Sequence, residues 1–263
     1  MKDLYNNLKT KPFIMAGPCV IETKDICCEI VESCKKSADE LGFTYIFKAS
    51  FDKANRTSVS SYRGDGIEKG LQVLEEIKKS YDVPVVTDIH ESYQAEIVGK
   101  VCDIIQIPAF LCRQTDLLVA AGKTNRIINI KKAQFLSASD MAHPIEKVKS
   151  TNNDKIMLTE RGTMFGYNNL VVDYRNLIDM QKYNIPVVMD ATHSTQRPGG
   201  LGTSSGGNPE YSPFLAAAAA AVGVRGFFAE THPNPQKALS DGANMIKLSD
   251  FKYFLEKITK HFV

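Results

Sequence analysis

Short runs of apolar, largely β-branched residues recur along the chain, each bounded by polar or turn-forming positions. They cover 13–16, 45–47, 83–86, 104–107, 127–130, 156–158, 187–189 and 226–228. Continuous apolar runs of this length suit strands buried on both faces, as in a parallel sheet. Helical spacing fills the intervals. Ile26, Ile30, Cys34 and Leu41 follow the first run, with Gly42 placed as a C-cap, and Ile67, Leu71, Leu74 and Ile77 follow the second. Pro144 and Pro213 can open helices in their first turns. The clearest helix is the last, over 249–263: Ser249 is a suitable N-cap, and Phe251, Phe254, Leu255, Ile258 and Phe262 form one stripe. Eight strands alternating with helices in about 250 residues predict an α/β fold, a closed (β/α)8 TIM barrel. A doubly wound sheet would carry a glycine fingerprint after the first strand, where this chain has Ala16-Gly17-Pro18-Cys19. The reading is a single domain over 1–263, with 1–12 a short N-terminal extension.

Composition changes this picture little. Of 263 residues, 43% are hydrophobic and 24% charged, which is globular, and 32 basic against 30 acidic residues leave a net charge of +2. That balance gives no ground for nucleic-acid binding. The longest apolar run, 214–224, is too short to span a bilayer, and the first is cut off by Gly17-Pro18, so no membrane or secretory segment is expected. The six cysteines include the adjacent Cys27-Cys28 but no CxxC spacing, which points to a reduced, cytoplasmic protein.

Barrel chemistry belongs at the C-terminal ends of the strands. Here the eight ends carry Cys19; Lys48 and Ser50; Asp88 and His90; Gln106; Lys131-Lys132; Glu160-Arg161; Asp190 and His193; and Glu230 and His232. Structural caps explain a few such residues, not a full set. Side-chain alternation sends Asn129 and Lys131 inward and Lys132 outward, and likewise turns Lys48, Ser50, Gln106, Thr159 and Arg161 to the mouth. Lys53, Arg56 and Arg63 lie on the loop after the second strand. Such a cationic mouth suits phosphate or carboxylate ligands; the alternative is surface pairing with Asp52, Asp65 and Glu160. Closure would make strands seven, eight and one neighbours. Cys19, His193 and Glu230 would then converge as a set suited to a divalent metal, with Asp241 a candidate fourth ligand. The alternative for Cys19 is a thiol buried only for packing.

Several long motifs resemble the 3-deoxy-D-manno-octulosonate 8-phosphate synthase family. They are Ala16-Gly17-Pro18-Cys19, the run from Lys48 to Ser58, Gln106-Ile107-Pro108-Ala109-Phe110 with Arg113, Arg161-Gly162-Thr163-Met164-Phe165-Gly166-Tyr167, Asp190-Ala191-Thr192-His193-Ser194 and Ala229-Glu230-Thr231-His232-Pro233. The resemblance spans about Phe13 to Leu248. It implies a cytoplasmic, homotetrameric barrel that joins phosphoenolpyruvate to D-arabinose 5-phosphate in lipopolysaccharide synthesis. It also implies the metal-dependent branch, which carries Cys at position 19, with Cys19, His193, Glu230 and Asp241 holding a divalent ion such as zinc, iron or manganese. By the same resemblance Lys48, Lys53, Gln106, Ala109, Lys131 and Arg161 line the phosphoenolpyruvate site, Asn55, Arg56 and Thr57 hold the pentose phosphate, and Ser50 and Pro108 also bind substrate. Arg113 reaches a neighbouring subunit's site. Lys131, His193 and Asp241 are expected to act in catalysis, the metal polarising the aldehyde or activating water, and 196–207 to form a lid. Asp190 is expected to orient a neighbour that the sequence does not identify. The nearest alternatives are the heptulosonate 7-phosphate synthase, which uses erythrose 4-phosphate, and a Schiff-base aldolase using Lys131.

Overall fold

The apolar runs become strands because each buries both faces, one against the barrel interior and one against the helix layer. The computed structural model describes residues 2–56, 58–197 and 206–262. The barrel strands are β1 (Phe13–Gly17), β2 (Thr44–Lys48), β3 (Val85–Asp88), β4 (Ile104–Ile107), β5 (Ile127–Lys131), β6 (Ile156–Glu160), β7 (Val187–Asp190) and β8 (Gly226–His232). All neighbours pair parallel, and β8 returns to β1 with Ala16 opposite Ala229 and Gly17 opposite Glu230, closing the (β/α)8 barrel.

Helices α1 (Lys2–Thr10), α2 (Lys24–Glu40), α3 (Ile67–Tyr81), α4 (Gln94–Val101), α5 (Thr115–Lys123), α6 (Ala142–Lys149), α7 (Tyr174–Gln181), α8 (Ser212–Ala221) and α9 (Phe251–Thr259) complete it. The main core lies between strands and helices, where Ile105, Ile107, Ile128, Ile130 and Phe227 meet Leu74, Val98, Leu118, Phe254 and Ile258. A second cluster fills the lower interior with Phe13, Met15, Ile46, Ile104, Ile127, Met157 and Phe228. No helix of the described residues is long and apolar enough to cross a membrane.

The described residues near both termini are helical. Residues 2–10 are a helix that buries Tyr5 and Leu8 against the lower cluster, and Tyr5 Oη donates to the Ile156 carbonyl at 2.9 Å while accepting from Ile156 N at 3.2 Å. The last helix begins at Phe251 after a 3-10 turn over Leu248–Asp250. Ser249 Oγ bonds Asp250 Oδ1 at 3.0 Å and caps nothing.

Gly17 shows how closely the top of the barrel is packed. A Cβ at that position would lie 2.0 Å from the Lys48 carbonyl oxygen, so only glycine lets β1 approach the end of β2.

Candidate active site

Inner-face alternation delivers the cations to one mouth. Lys48 is buried, and its Nζ donates to Ser50 Oγ at 3.0 Å and the Cys19 carbonyl at 3.3 Å, 3.5 Å from Glu230 Oε1. Ser50 Oγ donates to Asp88 Oδ1 at 2.5 Å, and Asp88 Oδ2 meets His90 Nε2 at 3.1 Å. Below, Asn129 Nδ2 donates to Gln106 Oε1 at 3.4 Å and Thr159 Oγ1 to Asn129 Oδ1 at 2.7 Å. Lys53 is buried too. Burial would lower its pKa, but the negative fields of Cys19, Glu230, Asp88 and Asp241 raise it well above normal. Arg161 is buried, with Nη2 on Gln196 Oε1 and Nη1 lacking a hydrogen-bond partner among the described residues. Burial lowers the Arg161 pKa against the pull of Asp190 and Glu160. A buried guanidinium nitrogen left unbonded in a cationic cleft is a ready anion site.

Asp190, unassigned from sequence, is the hub. Its carboxylate lies 2.5 Å from Lys131 Nζ and 2.9 and 3.1 Å from His193 Nδ1, and accepts the His193 backbone N–H at 3.0 Å. Burial pushes its pKa up, but His193 and Lys131 outweigh this and hold it far below the carboxylate range. Lys131, with its pKa lowered by burial against that pairing, sits 3.7 Å above the Phe228 ring centroid. Phe228, overlooked as a strand residue, is the floor of the mouth. Its signal was its position two before Glu230, on the same face of β8.

Engaging Nδ1 turns His193 Nε2 toward the carboxylates, 3.8 Å from Glu230 Oε1 and 3.9 Å from Asp241 Oδ2. Ligand atoms of Cys19, Glu230 and Asp241 lie within 4.8 Å of one another, with Cys19 Sγ 3.4 Å from Asp241 Oδ2. Donors about 2.0–2.3 Å from a tetrahedral ion stand roughly 3.3–3.8 Å apart, so Cys19, Glu230 and Asp241 are close enough to share one divalent cation, and His193 Nε2 lies beside the two carboxylates of that group. The electrostatics agree. Burial, then Asp241 and Glu230, push the Cys19 thiol far up, a penalty that a cation would reverse. Burial also works upward on Asp241, but Lys53, His193 and Arg56 leave its pKa below normal. Asp241 is held at φ 49°, a left-handed conformation uncommon outside glycine.

The remaining expected residues fall out unevenly. Pro108 is half-buried and Ala109 buried at the turn after β4. Asn55 is exposed, and Arg56 donates to Ser240 Oγ at 2.7 Å and the Leu239 carbonyl at 3.1 Å, tying its loop to the Asp241 segment. Thr57 lies outside the described residues, as does 198–205 of the expected lid, whose flanks pair antiparallel, Gln196 with Gly207 and Arg197 with Gly206. Arg63 is not in the mouth: it pairs with Asp52 at the surface, as the alternative reading had it. Lys132 does face outward, yet is fully buried beside Glu160 rather than exposed. Arg113 is exposed, and all six cysteines are free thiols.

The sequence pattern of the DAHP synthetase I family matches residues 6–262. A Cyanothece sp. protein named 2-dehydro-3-deoxyphosphooctonate aldolase is 54% identical over 249 residues, 94% of this chain and 91% of its own. A protein of the same name from Fusobacterium nucleatum is 53% identical over 94% of this chain and 89% of its own. One from Helicobacter hepaticus is 52% identical over 94% and 98%. The chain therefore belongs to the DAHP synthetase I family, among its members named 2-dehydro-3-deoxyphosphooctonate aldolase.

Proposed function

We infer that the chain condenses phosphoenolpyruvate with D-arabinose 5-phosphate and water, giving 3-deoxy-D-manno-octulosonate 8-phosphate and inorganic phosphate. One observation carries the reading. Four buried cations, Lys48, Lys53, Lys131 and Arg161, share a mouth with a Cys/His/Glu/Asp donor set, and Asp190 touches both groups through Lys131 and His193. The eight-carbon name of the relatives favours this substrate pair over the heptulosonate alternative.

The cations offset the charge of two phosphorylated substrates so that they can approach. C3 of the enol attacks the aldehyde carbon, whose oxygen takes up a proton, and C2 becomes electron-poor. Water adds at C2 and loses a proton; the hemiketal phosphate then expels inorganic phosphate by C–O cleavage, leaving the C2 ketone. Lys131 and Arg161 are assigned to counter the charge of the carboxylate and phosphate of phosphoenolpyruvate, and Gln106, Pro108 and Ala109 to line its approach. Asp190 holds Lys131 and His193 in place. Asn55, Arg56 and Thr57 are assigned to the pentose phosphate, and Asp241 or Glu230 to the water proton. A divalent ion held by Cys19, His193, Glu230 and Asp241 would supply Lewis acidity.

We place the enzyme in the cytoplasm, which suits six free thiols, and in a homotetramer. Phe110 and Arg113 stand exposed after β4, as residues serving a neighbouring copy would. Phosphate release with arabinose 5-phosphate should exceed that with erythrose 4-phosphate by at least about 100-fold in kcat/KM. Preference for the four-carbon sugar would overturn the assignment, and borohydride trapping of substrate on Lys131 would replace it with the Schiff-base reading.

A further inference from the structure

Behind the mouth, between the barrel and the helix layer, two charged side chains are completely enclosed: Lys132 and Glu160, both 0% exposed, with Nζ 3.4 Å from Oε2. Each adjoins a mouth cation. Lys131 and Arg161 point in while Lys132 and Glu160 point out, so two strand tips are joined on their outer face. Enclosing such a pair is costly and by itself poor evidence of stabilisation. Its hydrogen bonds suggest another use. Glu160 Oε1 accepts the backbone N–H groups of Arg161 at 3.0 Å and Gly162 at 2.7 Å. Lys132 Nζ donates to the carbonyls of Leu136 at 2.9 Å and Ala133 at 3.3 Å, and Lys132 N to the Thr159 carbonyl at 2.8 Å. Gly162 turns the chain at φ 92° immediately after the arginine.

We propose that Lys132 and Glu160 are positioning residues for phosphoenolpyruvate. The pair clamps the turn after β6 to the tip of β5, fixing the peptide from which Arg161 projects and its spacing from Lys131. It never meets substrate. Its effect passes through Arg161, whose Nη1 has no hydrogen-bond partner among the described residues. Arabinose 5-phosphate, assigned to the loop after β2, does not depend on it. The proposal rests on the substrate assignment above.

The test pairs calorimetric binding of phosphoenolpyruvate with the KM of each substrate in E160A, E160Q and the double variant K132M/E160Q. E160A frees both N–H groups and should weaken phosphoenolpyruvate binding and raise its KM roughly 10–100-fold, with the KM for arabinose 5-phosphate within twofold of the parent. E160Q keeps an acceptor but leaves Lys132 buried without its counter-charge, and should fall between. K132M/E160Q retains the acceptor but severs the link to β5, and should lose phosphoenolpyruvate binding to within threefold of E160A, with the KM for arabinose 5-phosphate again within twofold of the parent. K78M, which breaks the Lys78–Asp103 pair between α3 and the segment before β4, should lower the melting temperature and leave both KM values unchanged. Equal loss for both substrates in E160A, or parent-like phosphoenolpyruvate binding in the double variant, overturns the positioning role. A parent that binds phosphoenolpyruvate but makes no octulosonate, with E160A still selectively impaired, would sink only the reaction assigned. A parent that binds none sinks both.

Discussion

Exchanging Asp190 for Asn keeps the side chain's shape and one acceptor oxygen while removing the charge that Lys131 and His193 share. The parent carboxylate is fully buried, 2.5 Å from Lys131 Nζ and 2.9 Å from His193 Nδ1. Removing one member of a buried pair costs about 3–5 kcal/mol, since the other stays enclosed without compensation. Lys131 can relieve part of that by losing its proton, which burial already favours. The lower end, about 3 kcal/mol at pH 7, is therefore expected. The asparagine N–H2 can also face His193 Nδ1, reversing the tautomer and placing the proton on Nε2, the atom turned toward Glu230 and Asp241. Activity should fall about 10²–10⁴-fold, as when a buried carboxylate orienting an active-site imidazole is neutralised. The sign with pH follows from the depressed pKa of Asp190. Its contribution is complete above the unfolded value, about 3.9, and is lost as pH falls through the folded value. The gap between D190N and the parent should thus be full at neutral pH and narrow below about pH 4. Urea denaturation between pH 3 and 8, with phosphate release at pH 7, measures both. A gap under about 1 kcal/mol at pH 7, together with activity within threefold of the parent, would refute the hub role of Asp190.

Cys19→Ala should abolish stoichiometric metal binding by elemental analysis, and with it activity, while circular dichroism stays that of a folded barrel. Full activity after exhaustive chelation would place the chain on the metal-independent branch. Gly17→Ala forces a Cβ to within 2.0 Å of the Lys48 carbonyl and should destabilise by about 2–4 kcal/mol in denaturant while weakening phosphoenolpyruvate binding. Tyr5→Phe deletes a hydroxyl that both donates to and accepts from Ile156. It should cost about 1–2 kcal/mol in thermal unfolding and leave kcat/KM unchanged, because the lesion lies at the opposite end of the barrel.

All eight barrel strands were legible because each is a continuous apolar run, and alternation placed Lys131 inside and Lys132 outside. That Cys19 and Glu230 come together was legible once closure made β8 and β1 neighbours. Other features depend on tertiary contacts. Helix α1 offers only Leu4, Tyr5 and Leu8 as apolar positions, and its partner is the barrel floor rather than a sequence neighbour. Asp190 could have served any adjacent cation, and only the fold shows that it serves two. Arg56 and Arg63 sit on one loop with similar flanks, yet one turns to the Ser240–Asp241 segment and the other to Asp52. Local composition cannot separate them. Lys132 reads as a solvent-facing lysine until the helix layer closes over it.

The most direct measurement is product analysis by mass spectrometry and NMR, using metal-loaded protein supplied with phosphoenolpyruvate and arabinose 5-phosphate. The expected result is 3-deoxy-D-manno-octulosonate 8-phosphate formed in equal amount with inorganic phosphate. Phosphate release without an eight-carbon product, or no turnover in the metal-loaded protein, would contradict it.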